Sequence, residues 1–446
     1  MFNFGRQLIV RNPHLFSVYG RESLSFLSKS LLSAHVEALV ADAQRSTSEI
    51  AEIQLNQLKR LVHFSYKQVP FWRNWIAKSK LQSPDSLKTL EDLRFISVTS
   101  KKTLRSATLE ERSAKSTLQY SKLDNTSGST GEPFVFFLDI RGAERKTALI
   151  LRGLKWNNGI FSNRIVRVRN RDLSLIVDGR YIQFREMADV DLILGILEKE
   201  SVLERFVLHS HASNLMVIAE ATKRRGAHIT PGAILTTSEH CAPEQSLFLS
   251  KVFGCPVGDW YSSREVDSIA SRCSVGAMHI NTEQCVLEIV DEGGNLLPAG
   301  QHGRIILTTF NNYVMPFIRY ANGDMGTILK DPCPCGLPFP CLEFEGREVN
   351  VISLPNSKTI HLFSLFGPFQ RRASLIQQYQ IIREGPWEFV INIEPARLLT
   401  DIEISSLAKD IADIIGGEAT VRVAMVKNLF ALGEKQIVYK SNYSLN

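Results

Sequence analysis

The chain has 446 residues, of which 44% are hydrophobic and 22% charged, the proportions of a soluble globular protein with room for a domain of about 300 residues and a smaller second one. Its formal charge of +6 suits anionic substrates such as nucleotides, but no Lys/Arg tract marks a nucleic-acid arm, and Lys223-Arg224-Arg225 reads as the solvated end of a helix. No apolar run approaches the roughly 18 residues of a membrane span and the N-terminus lacks the core and cleavage site of a signal peptide, so a cytoplasmic protein with no membrane span is expected.

Residues 1–90 carry helical patterning, clearest over 46–64, where Ile50, Ile53, Leu55, Leu58 and Leu61-Val62 recur at near-helical intervals. Pro70 and the turn Gln82-Ser83-Pro84-Asp85 punctuate this region. Residues 125–133 then read NTSGSTGEP, ahead of the apolar run 134–138. One reading is an ordinary turn. The other is a loop around a phosphate chain: Gly128 and Gly131 let the backbone approach an anion, while Thr126, Ser127, Ser129 and Thr130 add hydroxyls to the backbone N–H groups. It is not a Walker motif, because no Lys-Ser or Lys-Thr follows its last glycine and position 132 is Glu.

From about residue 120 the pattern becomes mixed α/β. The β-rich runs 164–168, 234–237, 286–290 and 304–309 alternate with helical stretches such as 213–225. A boundary is expected near Gly346-Arg347, giving domains 1–346 and 347–446. The second is sized for a small α+β domain, with strands expected at 387–393 and 419–426.

Seven cysteines, an odd number, match no secreted disulfide framework. Cys273 and His279, in RCSVGAMHI, and Cys333 and Cys335, in DPCPCG, supply three thiolates and an imidazole. That set suits a closed tetrahedral Zn2+ site, structural rather than catalytic. Free thiols are the alternative reading, as for Cys241, Cys255, Cys285 and Cys341, and Cys341 is also an alternative fourth ligand.

After the 125–133 loop come AILTTSE (233–239), YSSRE (261–265), PFIRYANGD (316–324), Gly346-Arg347 and Gly433-Glu434-Lys435. In this order the series resembles the adenylate-forming superfamily of acyl-CoA synthetases, specifically its phenylacetate–CoA ligase branch with the CapK-type adenylating proteins. The resemblance runs from about residue 60 to the last residue. It implies a large N-terminal α/β adenylation domain with mixed sheets and a mobile C-terminal α+β cap.

The same resemblance implies roles residue by residue. The 126–131 loop would hold the β- and γ-phosphates of ATP, and Ser238 and Glu239 the adenine edge. Tyr261 would stack on adenine, Glu265 would help hold Mg2+, Asp324 would accept the ribose hydroxyls, and Arg347 would contact ribose or phosphate. Lys435 would enter with the cap for adenylation, with Lys440 as a competitor because Glu434 interrupts the usual Gly-Lys pair. Members of the branch carry a comparable Cys/His set. The implied reaction activates a small carboxylic acid as acyl-AMP and passes it to CoA or another thiol.

Three departures stand out. Val349 and Asn350 replace two aspartates near the hinge, Ser262 replaces a glycine, and Asn322-Gly323 replaces Thr-Gly. They leave ATP binding expected and bear on the CoA step. The acid pocket is expected from 156–169, 210–212 and 258–261, which define no single acid. Two other readings are adenylylation of a hydroxyl or phosphate acceptor, and a non-catalytic nucleotide-binding subunit of a biosynthetic assembly.

Overall fold

A computed structural model describes residues 36–126, 134–157, 165–168, 174–177, 180–183, 190–203, 205–237, 241, 243–347, 351–356, 359–365, 367–370, 372, 375–395, 397–416, 418–427, 429 and 439–443. The helical period of the first segment becomes the helix Thr47–Gln68, which starts at a capping box: the Ser46 hydroxyl accepts from Glu49 N–H, and the Glu49 carboxylate accepts from Ser46 N–H at 2.8 Å. Its Ile50, Leu58, Leu61 and Val62 are buried on one face. Val69 is extended because it precedes proline, and Pro70 opens the next helix, Pro70–Lys78, where a missing N–H costs nothing. Trp72 is fully buried, and its indole N–H donates to the Pro316 carbonyl at 3.0 Å.

The chain divides into two units, Met1–Phe344 and Glu345–Asn446. The first is organised by a 13-stranded sheet. Its parallel part joins Ile165–Arg167, Val207–Ser210, Ala233–Thr237 and Val257–Ser263. The helices Val190–Leu203, Ala212–Arg225 and Pro243–Phe253 lie between successive strands in the chain, as parallel pairing requires. Val207–Ser210 is buried along its whole length, which is why it reads as a plain apolar run rather than an alternating one.

Val257–Ser263 then turns antiparallel onto Asp267–Arg272, which pairs with Met278–Ile280. Cys285–Val290, His302–Thr309 and Tyr320–Ile328 form a meander. The strands Ser121–Asn125 and Val135–Asp139, which flank the Ser/Thr/Gly loop, form a separate hairpin. Among the described residues no helix is long and apolar enough to cross a membrane.

Arg319, within PFIRYANGD, is a buried charge. It is 1% exposed, its backbone is left-handed at φ 45°, and its guanidinium holds Glu288 at 3.0 Å through both Nε and a terminal nitrogen. A further terminal nitrogen donates to the carbonyls of Ile96 at 2.7 Å and Arg94 at 3.1 Å. One arginine thereby ties the N-terminal helical segment to two strands of the meander.

The second unit carries a four-stranded sheet in the order Thr420–Met425, Glu388–Pro395, Ile376–Arg383, Tyr439–Ser441. The two expected strands are present as Glu388–Pro395 and Thr420–Met425, running parallel. The connection is the helix Asp401–Ile415, capped by Thr400 and Glu403, whose Leu407, Ile411 and Ile415 are buried at a four-residue spacing.

Replacing Arg319 with Ala leaves Glu288 as a buried charge without its partner, and is expected to cost about 3–5 kcal/mol. Thermal unfolding should show a large drop in Tm for R319A. The R319M/E288L double variant, which buries apolar groups instead, should recover most of it. A wild-type Tm for R319A would show that the pair does not hold the meander.

Candidate functional site

The candidate site forms where the YSSRE and ANGD segments meet. Tyr261 sits near the end of Val257–Ser263 and Asp324 in Tyr320–Ile328, strands that are not neighbours in the sheet order. Yet the Tyr261 hydroxyl donates to an Asp324 carboxylate oxygen at 2.6 Å. In a flat sheet four strand spacings amount to about 19 Å, so the sheet curls to make this contact.

Asp324 is aimed by a local irregularity. The pairing of Tyr320–Ile328 with its neighbour skips between Arg304 and Ile306, which leaves Asn322, Gly323 and Asp324 bulged. Gly323 has φ 87°, a conformation that explains the glycine, since a Cβ there would meet nothing. The Asn322 amide donates to the Asp324 carboxylate and to the Tyr261 oxygen, the latter at 3.0 Å. Burial first, and the Asp324 carboxylate second, push the Tyr261 phenol well above its ordinary pKa, so it stays protonated and donates. Its ring packs on Phe344 at 4.3 Å.

Glu265 is 5% exposed. One of its oxygens accepts from the Tyr320 hydroxyl at 2.9 Å and lies 3.1 Å from the Lys101 ammonium. Lys101 opens the short helix Lys101–Arg105, behind the Ser100 cap. Two further cations lie on or beside the hairpin: Arg264 pairs with Asp124 at 2.6 Å, and the Lys122 pKa is lowered by burial, with Arg264 and Lys146 adding to the depression. Sequence reasoning missed Lys101, Lys122, Arg264 and Tyr320. Arg264 and Tyr320 stood inside recognised motifs, but the two lysines carried no local signal.

Thr126 closes the base of the loop: its N–H donates to the Phe134 carbonyl at 3.0 Å, and its hydroxyl accepts from Phe134 N–H at 3.1 Å. Ser127, Gly128, Ser129, Thr130, Gly131, Ser238, Glu239 and Lys435 lie outside the described residues, as do Val349, Asn350 and the Arg347 side chain. Lys440 is exposed in the strand Tyr439–Ser441.

A second cluster gathers Cys273, His279, Cys333 and Cys335, with every ligand atom within 4.8 Å of the others. The Cys273 and Cys333 sulfurs are 3.8 Å apart, and the Cys335 sulfur is 3.2 Å from His279 Nε2. His279 Nδ1 lies 2.8 Å from the Phe339 carbonyl, which assigns the proton to Nδ1 and leaves the Nε2 lone pair facing the thiols. Burial lowers the His279 pKa, which keeps the ring neutral, and pushes the Cys335 and Cys341 thiols up to about 12. Beside the cluster, the fully buried Arg152 stacks on Trp156 at 4.0 Å and donates to Asn281 at 2.7 Å. Cys341 lies 3.8 Å from the His279 ring, outside the tight set.

No protein-family model matches the chain. It is 24% identical over 313 residues to the phenylacetate–coenzyme A ligase of Thermus thermophilus, covering 65% of this chain and 68% of that one. It is 22% identical over 295 residues to protein CapK of Staphylococcus aureus, covering 63% of each. Among solved structures, a 2-hydroxyisobutyryl-CoA ligase in its postadenylation state superposes with TM-score 0.72 at 16% identity, over 89% of this chain and 90% of that one, a likeness of fold. Matches to two kinds of protein from one branch, with the motifs in order, make the chain similar to the phenylacetate–CoA ligase and CapK branch of the adenylate-forming superfamily.

Proposed function

We propose that the protein is an ATP-dependent ligase that activates a carboxylic acid as its acyl-adenylate and passes the acyl group to CoA or another thiol. The observation that carries this reading is the meeting of the YSSRE and ANGD segments, where the buried Asp324 and Glu265 are each held by a tyrosine hydroxyl of the other segment and Arg264 reaches Asp124 of the hairpin. Two carboxylates and a ring of cations match the parts a nucleoside triphosphate presents: ribose hydroxyls need acceptors, a phosphate-bound Mg2+ needs a hard oxygen, and the phosphates need positive charge.

In this mechanism Asp324 accepts hydrogen bonds from the ribose hydroxyls, aimed by the bulge and by Asn322. Glu265, which now holds the Lys101 ammonium, would hold Mg2+, whose chemistry there would be to neutralise the triphosphate. The 126–131 loop holds the β- and γ-phosphates. A substrate carboxylate oxygen then attacks the α-phosphorus and pyrophosphate leaves. Both reactants are anions, so the field of Lys122, Arg264 and the incoming Lys435 lowers the repulsion between them. The thiol sulfur afterwards attacks the acyl carbon, and AMP departs. By the resemblance, Arg347 would contact ribose or phosphate, and Ser238 and Glu239 would hold the adenine edge.

The Cys273, His279, Cys333 and Cys335 cluster fits a structural Zn2+. Bonds of about 2.3 Å at tetrahedral angles put two sulfurs roughly 3.8 Å apart, the spacing found for Cys273 and Cys333. The Phe339 carbonyl supplies the outer hydrogen bond that orients a ligating histidine. No position is left for water, so the role is to tie two segments of the unit together.

Incubation with MgATP, CoA and a library of acids should give AMP- and CoA-linked products detectable by mass. Loss of pyrophosphate exchange with every acid would sink the enzyme reading. Asp324→Ala forfeits two charge-assisted hydrogen bonds of roughly 1.5–3 kcal/mol each. Its affinity for ATP should fall by at least about tenfold while Tm stays near wild type, and an unchanged ATP titration would remove Asp324 from the site.

Lys435→Ala should slow adenylate formation far more than it slows the use of pre-formed acyl-adenylate, because the lysine acts in one half-reaction only. The same split appearing in Lys440→Ala instead would reassign the role. Protein purified under reducing conditions should hold close to one equivalent of zinc. The Cys333→Ser/Cys335→Ser variant should lose it together with thermal stability, and full zinc retained there would return these cysteines to free thiols.

A further inference from the structure

A cavity of about 440 Å³ opens at the other end of the hairpin that flanks the Ser/Thr/Gly loop. Asp139 and Arg141 line it, and Asp139 pairs with Ser121 at the far end of the two strands. At about 3.3 Å per residue it stands roughly 16 Å along the strand from the turn that begins the loop. It shares no residue with the Tyr261, Glu265 and Asp324 cluster.

Three guanidiniums line the cavity: Arg60 from the helix Thr47–Gln68, Arg141, and Arg145 from the helix Ala143–Trp156. Among the described residues only Arg141 of the three has a carboxylate partner, Asp139 at 2.8 Å, and it also lies over the Tyr120 ring at 4.7 Å. Arg145 donates from one terminal nitrogen to the Glu283 carbonyl at 2.8 Å, but its Nε is buried without a partner. Arg60 is exposed and has no carboxylate partner among the described residues. Three positive charges against Asp139 leave the lining at +2 (3 − 1), and burial keeps the Tyr313 phenol protonated.

The uncharged part of the lining narrows the ligand. The buried Gln57 Oε1 is an acceptor without a donor, in a position where an unmade hydrogen bond is costly. The rings of Phe64 and Tyr313 meet edge to face at 5.0 Å and give the cavity an aromatic wall. A lining of charge +2 calls for a dianion, the orphan acceptor calls for a hydroxyl, and an aromatic wall suits the C–H face of a saturated ring. A cavity of this size holds a small molecule. We propose that this cavity is a second ligand site that binds a sugar phosphate: the phosphate between Arg60 and Arg145, a hydroxyl on Gln57 Oε1, and the ring against Phe64 and Tyr313.

Calorimetry on the full chain tests it with three probes: glucose 1-phosphate, inorganic phosphate and glucose. Glucose 1-phosphate should bind one to one, with the same affinity whether or not MgATP is saturating. Inorganic phosphate should bind more weakly, and glucose not at all. Arg60→Glu, a change at an exposed position, should weaken glucose 1-phosphate by at least about tenfold. Gln57→Leu should weaken it by less, and both variants should keep wild-type affinity for ATP. The proposal is overturned if glucose 1-phosphate does not bind, if MgATP displaces it, if Arg60→Glu binds it normally, or if inorganic phosphate binds as tightly.

Discussion

The contact between the Tyr261 hydroxyl and Asp324 is the constraint on which the rest of the site depends. It spans a gap that a flat sheet would leave open, so the curl of the sheet and the geometry of the site are one feature. Tyr261 is able to donate because it is buried: desolvation holds its proton in place, and the Asp324 charge reinforces this. The carboxylate is thus oriented before any ligand arrives. The preorganisation draws on a bulge at Asn322, Gly323 and Asp324 that breaks strand pairing and re-aims one side chain, a use of irregular backbone that recurs at functional sites.

Behind that site the molecule holds its charges in pairs. Arg319 with Glu288, Arg152 with Glu283, and Arg272 with Asp259 are all largely buried; the first two join segments far apart in the chain, and the third links two paired strands. Buried ion pairs are weak sources of net stability, because desolvation offsets their attraction, but they strongly penalise any arrangement that separates them. Here the Arg319 pair selects one packing of the N-terminal segment on the meander. The cluster of three thiols and one imidazole lies in the same unit, where Cys273 and His279 meet a hook that contains Cys333 and Cys335.

The helix Thr47–Gln68 was legible because its capping box and its apolar face are both local: residues three and four apart on a helix are neighbours whatever surrounds them. The strands Ala233–Thr237, Cys285–Val290 and His302–Thr309 were legible from β-rich runs, within a residue or two at their ends. Arg319 was not. Its sequence context permits a solvated charge, and the tertiary structure buries it against Glu288 and two carbonyls.

By itself the sequence determined the helical and strand periods, the order of the motifs, and the inventory of donors: a Ser/Thr/Gly loop, the carboxylates of YSSRE and ANGD, and three cysteines with a histidine. Each is a property of residue type and short spacing, so one dimension suffices to read it. Tertiary structure alone decided that Lys101 rests on Glu265, that Tyr261 turns its hydroxyl to Asp324, and that Arg60, Arg141 and Arg145 share a cavity. Apart from Arg141 and Arg145, which are near neighbours in the chain, these groupings join residues from tens to more than a hundred positions apart, and no local period encodes them. They follow from how a curved sheet and its covering helices pack, which depends on the whole core at once.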